Sequence, residues 1–176
     1  MKVACIGIGW WSDVLADAMK RSGKLSIAAC YSRSIEKREK FAAKYGCKAA
    51  HSYEEILNDR SIEGIINTTP NAVHRETTVA AAKAGKHVFL DKPIANTVAD
   101  ARALTEACRR AKVVLAVGYQ RRRESHFRWV KENIGEFGRM VNAEANISRD
   151  RLGKIDLSSW RYTAEGMPGE IGRAHV

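Results

Sequence analysis

Short runs of β-branched and apolar residues alternate along this chain with longer stretches whose apolar positions recur every three or four residues. The runs fall at residues 3–8, 25–30, 62–67, 87–90 and 113–117, each of a length suited to a buried strand. Residues 12–21, 35–45, 53–57, 72–84 and 98–111 carry the helical period between them. Gly23, Gly46 and Gly85 follow three of these stretches, where a helix C-cap favours positive φ. Ser52-Tyr53-Glu54-Glu55 has the spacing of a capping box, and Thr97-Val98-Ala99-Asp100 is a looser version. The alternation predicts an α/β fold: a doubly wound parallel sheet covered by helices on both faces, with right-handed crossovers.

The pattern changes near Gly118. Residues 122–134 read as one more helix, closed by Gly135, and residues 140–148 alternate like a strand with one wet face. These elements look like the incomplete start of an α+β domain, because a lone helix and strand cannot bury a core. Beyond Arg149 the chain is rich in polar residues and glycine.

Composition narrows the functional classes. No apolar run approaches the roughly 20 residues that span a bilayer. The first run follows a single lysine and passes into Gly7 and Gly9, unlike a signal peptide, so a cytoplasmic protein without a membrane partner is expected. The net charge of +10 invites a nucleic-acid reading, yet the excess is diffuse, with 19 basic and 12 acidic residues up to Gln120. The densest cluster, Arg121-Arg122-Arg123, is short and lacks interleaved aromatics, so the expected partner is an anionic small molecule and not nucleic acid. Cys5, Cys30, Cys47 and Cys108 lie far apart without metal-ligand spacing, which predicts reduced thiols and no metal.

Four places carry candidate chemistry. Gly7-Ile8-Gly9-Trp10-Trp11-Ser12 joins the first strand to the first helix. Two glycines permit a tight turn and close backbone approach to a pyrophosphate, and the helix N-terminus offers unpaired N–H groups. Ser12 stands where glycine or alanine is usual. After the second strand, Tyr31-Ser32-Arg33-Ser34 lacks the acid that binds an NAD ribose, whereas Ser32 and Arg33 suit a 2′-phosphate. NADP is therefore the expected cofactor, with NAD the alternative. Lys37 and Arg38 follow one turn later.

Thr68-Thr69-Pro70-Asn71, with His74, ends the run at 62–67. Asn71 is expected to cap the next helix and present its amide near the nicotinamide; His74 reads equally as a structural or a functional histidine. Asp91-Lys92-Pro93 follows the run at 87–90, where Lys92 is placed to hydrogen-bond a substrate hydroxyl or carbonyl, or else is a surface lysine in a turn.

Taken in order, these pieces resemble the glucose–fructose oxidoreductase, inositol dehydrogenase and rhizopine catabolism (Gfo/Idh/MocA) family. The resemblance rests on the glycine turn, Tyr-Ser-Arg-Ser, Thr-Pro-Asn-x-x-His, Gly-Lys-His-Val-Phe running into Asp-Lys-Pro, and Val-Gly-Tyr-Gln-Arg-Arg-Arg, and it reaches from residue 2 to about 169. It implies a Rossmann fold and a nicotinamide-dependent oxidoreductase acting on a sugar, a cyclitol or a related polyol or ketone. It also implies that Gly7, Gly9, Trp10, Trp11, Ser32, Arg33, Thr69, Pro70, Asn71, His74, Asp91 and Lys92 line the cofactor site. Lys92 takes the position of the family's catalytic lysine, with Asp91 in place of the usual glutamate. Tyr119 falls beside the nicotinamide, and Trp160-Arg161 matches a pair near the cofactor.

Members of this family are commonly much longer, homo-oligomeric proteins in which a glycine-rich stretch leads to an acid–base histidine. Here that stretch is Gly166-Met167-Pro168-Gly169, and His175 does not stand in a matching context. The final seven residues resemble the translation of a sequencing-library adapter. The expected organisation is a nucleotide-binding domain at 1–120, the incomplete start of a substrate and dimerisation domain at 121–169, and a non-native tail at 170–176. Such a fragment is expected to bind cofactor without completing catalysis; a non-catalytic sensor of the nicotinamide redox state is the alternative.

Overall fold

The computed structural model describes residues 1–144, which divide into two units, Met1–Gly118 and the residues from Tyr119 onward. The first unit holds β1 (Lys2–Ile6), α1 (Trp10–Ser22), β2 (Ser26–Tyr31), α2 (Ile35–Tyr45), β3 (Lys48–Ala49), α3 (Tyr53–Asn58) and β4 (Gly64–Asn67). A 3-10 turn (Asn71–Val73), α4 (His74–Lys83), β5 (His87–Leu90), α5 (Val98–Arg110) and β6 (Leu115–Val117) complete it. All strand pairs are parallel, in the order β3-β2-β1-β4-β5-β6. This is the Rossmann doubly wound order, and its direction of winding reverses between β1 and β4.

Strand periodicity divides the core in two. Ala4 and Ile6 of β1 face one layer, with Ile65, Val88 and Leu90 from neighbouring strands and Ile56, Ala81 and Leu104 from α3, α4 and α5. Val3 and Cys5 face the other, with Ile66 and with Ala16, Met19, Phe41 and Ala42 from α1 and α2. A central strand covered on both faces has no polar side, which is why residues 3–6 read as an unbroken apolar run. All four cysteines are free thiols, three of them buried.

The predicted helices and strands are present with shifted ends, and two features differ. β3 was not expected: its two residues lack β-branching, and they become strand only by pairing with Ala29 and Cys30 at the sheet edge. The single helix expected over 122–134 is instead a 3-10 turn (Gln120–Arg123), α6 (Ser125–Asn133) and a second 3-10 turn (Ile134–Phe137). Extended Glu124 (ψ 143°) interrupts it, restarting the helix as an N-cap whose acid complements the helix dipole. Gly135 lies within the last turn, which Gly138 ends at φ 68°. Of the strand expected over 140–148, residues 140–144 are not strand, and the remainder lies outside the described residues. Among the described residues no helix is long and apolar enough to cross a membrane.

Lys86 is buried at the start of β5, and its ammonium donates to the carbonyls of Asp59 (2.6 Å) and Ile62 (2.7 Å) in the connection from α3 to β4. A charge so placed satisfies two carbonyls that the fold removes from water. Lys86→Met keeps the stem and deletes the ammonium. The expected loss is about 1–3 kcal/mol, read as a lower thermal midpoint by circular dichroism; an unchanged midpoint would contradict this role.

Candidate active site at the sheet's switch point

The loops leaving β1 and β4 are pressed together. Gly7 has φ 79°, and a Cβ there would lie 2.4 Å from the Thr69 nitrogen and 2.6 Å from the Thr68 carbonyl carbon. Both the conformation and the approach require glycine. The Gly7 N–H donates to the Tyr31 carbonyl at 3.2 Å, and the Thr68 hydroxyl reaches the carbonyls of Ile6 (3.0 Å) and Gly7 (2.9 Å). Three successive strand ends are thereby laced together.

Gly9 plays a different part. Its backbone is extended (φ −164°), and a Cβ there would meet no atom within 4 Å. It precedes α1, so its missing side chain leaves the helix N-terminus open to approach. Buried Ser12 accepts a bond from the Gly9 N–H (2.8 Å) and donates to the Gly9 carbonyl (2.6 Å). Serine in place of the third glycine therefore locks the turn from inside. The amides of Trp10, Trp11 and Ser12 remain as first-turn donors without intrahelical acceptors. Trp10 is 74% exposed with its ring 5.6 Å from that of Trp11, whose Nε1 is buried without a partner among the described residues.

Past β2, Ser34 caps α2 by accepting from the Lys37 N–H, and the Ser32 hydroxyl accepts from the Ser34 N–H, each at 3.3 Å. Arg33 is exposed and forms no ion pair among the described residues. Arg38 is already engaged, donating to the His51 carbonyl at 3.2 Å.

At the end of β4, buried Asn67 donates to the Thr77 hydroxyl (2.8 Å) and accepts from the Thr69 hydroxyl (2.7 Å) and N–H (3.2 Å). Asn71 does not cap the next helix as expected. It begins the 3-10 turn after Pro70, and its buried Nδ2 has no hydrogen-bond partner among the described residues. An unpaired buried amide is costly, so its presence at the switch point marks a place for an acceptor. The His74 ring is fully buried, with Nδ1 3.0 Å from the Pro93 carbonyl and Nε2 2.9 Å from the Thr69 carbonyl. Burial outweighs the two carbonyls and nearby Asp91, holding His74 below the ordinary histidine range.

At the end of β5, the Asp91 N–H donates to the Asn67 carbonyl and an Asp91 carboxylate oxygen accepts from the Lys92 N–H, both at 2.8 Å. Lys92 is half-buried, and its peptide bond to Pro93 is cis. The strand order thus brings Gly7, Gly9, Trp10 and Trp11, Thr69, Pro70 and Asn71, and Asp91 and Lys92 to the carboxyl end of the sheet, with Ser32 and Arg33 in the loop that leaves the adjoining β2. Tyr119 is exposed at the start of the second unit, while Trp160 and Arg161 lie outside the described residues. The contribution of Asn67 went unread as site architecture, since its role arises from contacts to neighbouring loops and to α4.

Residues 1–119 match the family described as an oxidoreductase family with an NAD-binding Rossmann fold, Gfo/Idh/MocA. The chain belongs to this family. It is 36% identical over 120 residues to 1,5-anhydro-D-fructose reductase of Ensifer adhaerens, covering 66% of this chain and 36% of that protein. It is 37% identical over 132 residues to scyllo-inositol 2-dehydrogenase (NADP(+)) of Bacillus subtilis strain 168, covering 73% and 37%. A solved structure described as an NADPH-dependent oxidoreductase from Desulfitobacterium hafniense superposes with a TM-score of 0.87 at 34% identity, covering 96% of this chain and 49% of that one. The chain thus spans between about a third and a half of the length of these Gfo/Idh/MocA relatives.

The two glycines of this family's turn should separate cleanly. Gly7→Ala is expected to cost at least about 1–3 kcal/mol, from the positive φ alone, whereas Gly9→Ala should leave the melting temperature of the chain unchanged. Thermal melts of both variants test this; equal stability of the two would contradict the close approach at Gly7.

Proposed function

We propose that this chain is the cofactor-binding portion of an NAD(P)-dependent oxidoreductase that acts on a sugar, a cyclitol or a related polyol or ketone, with NADP(H) preferred. The observation that carries the reading is the unpaired, buried Asn71 amide beside a glycine turn that opens onto a helix N-terminus. The named activities of the anhydrofructose and inositol relatives support the substrate class.

A bound nicotinamide cofactor supplies the hydride chemistry. The chain's own residues bind and orient. The first-turn amides of α1 hold the pyrophosphate, aided by the positive end of the helix dipole. Ser32 and Arg33 hold the ribose 2′-phosphate, for which Arg33 offers a planar fork that no carboxylate occupies among the described residues. Thr69, Pro70 and Asn71 flank the nicotinamide, and Asn71 gains the acceptor it lacks. Lys92 donates a hydrogen bond to the substrate oxygen, and Tyr119, Trp160 and Arg161 belong to the same reading.

The domains follow the same division: residues 1–120 bind the nucleotide, 121–169 begin the substrate and dimerisation domain, and 170–176 are a non-native tail. The complete protein would be a cytoplasmic homo-oligomer. The 176 residues alone, spanning a third to a half of their relatives' length, bind cofactor with little or no turnover.

Arg33→Gln tests the cofactor preference. Losing a charge-assisted contact should weaken NADPH binding by roughly tenfold or more and leave NADH binding little changed. Fluorescence titration of both nucleotides measures this. Equal weakening of the two would remove the 2′-phosphate role, and a wild-type chain that binds neither nucleotide would contradict the function.

A further inference from the structure

Two residues beneath the switch point each touch both of the loops above it. Asn67 holds the Thr69 segment through its side-chain oxygen and the Asp91 segment through its backbone carbonyl. His74 does the same with its ring, reaching the Thr69 carbonyl through one nitrogen and the Pro93 carbonyl through the other. Because the ring is fully buried, neither nitrogen is left for a ligand or for water. An apolar side chain of the same size would fill the space and leave both carbonyls without a ring nitrogen beside them.

We propose that His74 is a positioning residue that couples the Thr69-Pro70-Asn71 segment to the Lys92-Pro93 turn, so that the two are displaced or held as one. The Lys92 turn is also held by the Asp91 N–H on the Asn67 carbonyl and by the Asp91 carboxylate on the Lys92 N–H. The ring is the side-chain bridge from α4 to the carbonyl that follows Lys92. A half-buried lysine on such a turn takes its direction from the backbone beneath it. The functional meaning of the coupling rests on the reading of Asn71 and Lys92 given above; the coupling itself is a property of the chain without ligand.

Amide NMR spectra of the cofactor-free 176-residue chain test it at neutral pH. His74→Phe, which keeps the ring volume and removes both ring nitrogens, should move the resonances of Thr69 and Asn71 together with those of Lys92 and Ile94. His74→Gln, which keeps an amide donor, should lie between wild type and His74→Phe, by the same fraction at both segments. Shifts confined to one segment, or unrelated fractions at the two, would overturn the proposal. If His74→Phe does not fold, the Gln variant decides by whether both segments move together.

Should both variants unfold, lowering the pH of the wild type from 8 to 5 replaces them. A neutral ring donates to one carbonyl at a time and a protonated ring to both, with Asp91 the charged group facing it. The two segments should then follow one shared midpoint below 6.5, the ordinary histidine value. Separate midpoints, or movement at one segment or at neither, would overturn the coupling. Failure of the wild type to bind NADPH would sink the functional reading while leaving these spectra decisive for the coupling.

Discussion

The backbone contact between Gly7 and the Thr68-Thr69 segment sets the geometry of the whole edge. β1 and β4 are neighbours in the sheet but part in opposite directions, so their exits crowd at the point where the winding reverses. With no Cβ at residue 7, the two exits touch and then diverge, which leaves the N-terminus of α1 facing an open crevice. A side chain there would push β4's loop outward, and with it Asn67, whose bonds fix both the Thr69 segment and the start of the Lys92 turn. The cofactor site is thus a consequence of strand order made tight by one glycine.

Charge is arranged more sparingly than the net value of +10 implies. Several basic side chains are committed to structure. Lys86 is buried on two carbonyls, Arg38 holds the His51 carbonyl, and Lys44 and Lys48 pair with Asp13 and Glu55. Arg33 differs in being exposed at the end of β2 without an ion pair among the described residues. A diffuse positive field and one free guanidinium at a strand end suit a small anionic ligand better than an extended polyanion.

What could be read in the amino-acid sequence was whatever local chemistry dictates. Gly23 and Gly46 adopt left-handed cap conformations, Ser52 and Thr97 accept the capping bonds their spacing foretold, and the apolar runs became strands. Contacts made across the sheet were illegible. β3 exists only through its partner strand, and Asn67, an unremarked polar residue closing an apolar run, proves to be the clamp between two loops. His74 sat between alternatives for the same reason, since a ring can be structural or functional until the neighbouring loop is in place, and Asn71 was expected to cap a helix that it does not cap. Lys86 is a charge at the head of a strand, and nothing along the chain reveals that it folds inward.

The central claim is that NADP(H) binds across the β1–β4 switch point of this chain. Stepwise addition of NADPH to the isotopically labelled protein, followed residue by residue through its amide resonances, tests it most directly. Binding there predicts saturable shifts at Gly9, Trp10 and Trp11, at Ser32 and Arg33, and at the Asn71 side-chain amide, with Arg121, Arg122 and Arg123 unaffected. Shifts confined to the three arginines, or none that saturate, would contradict it.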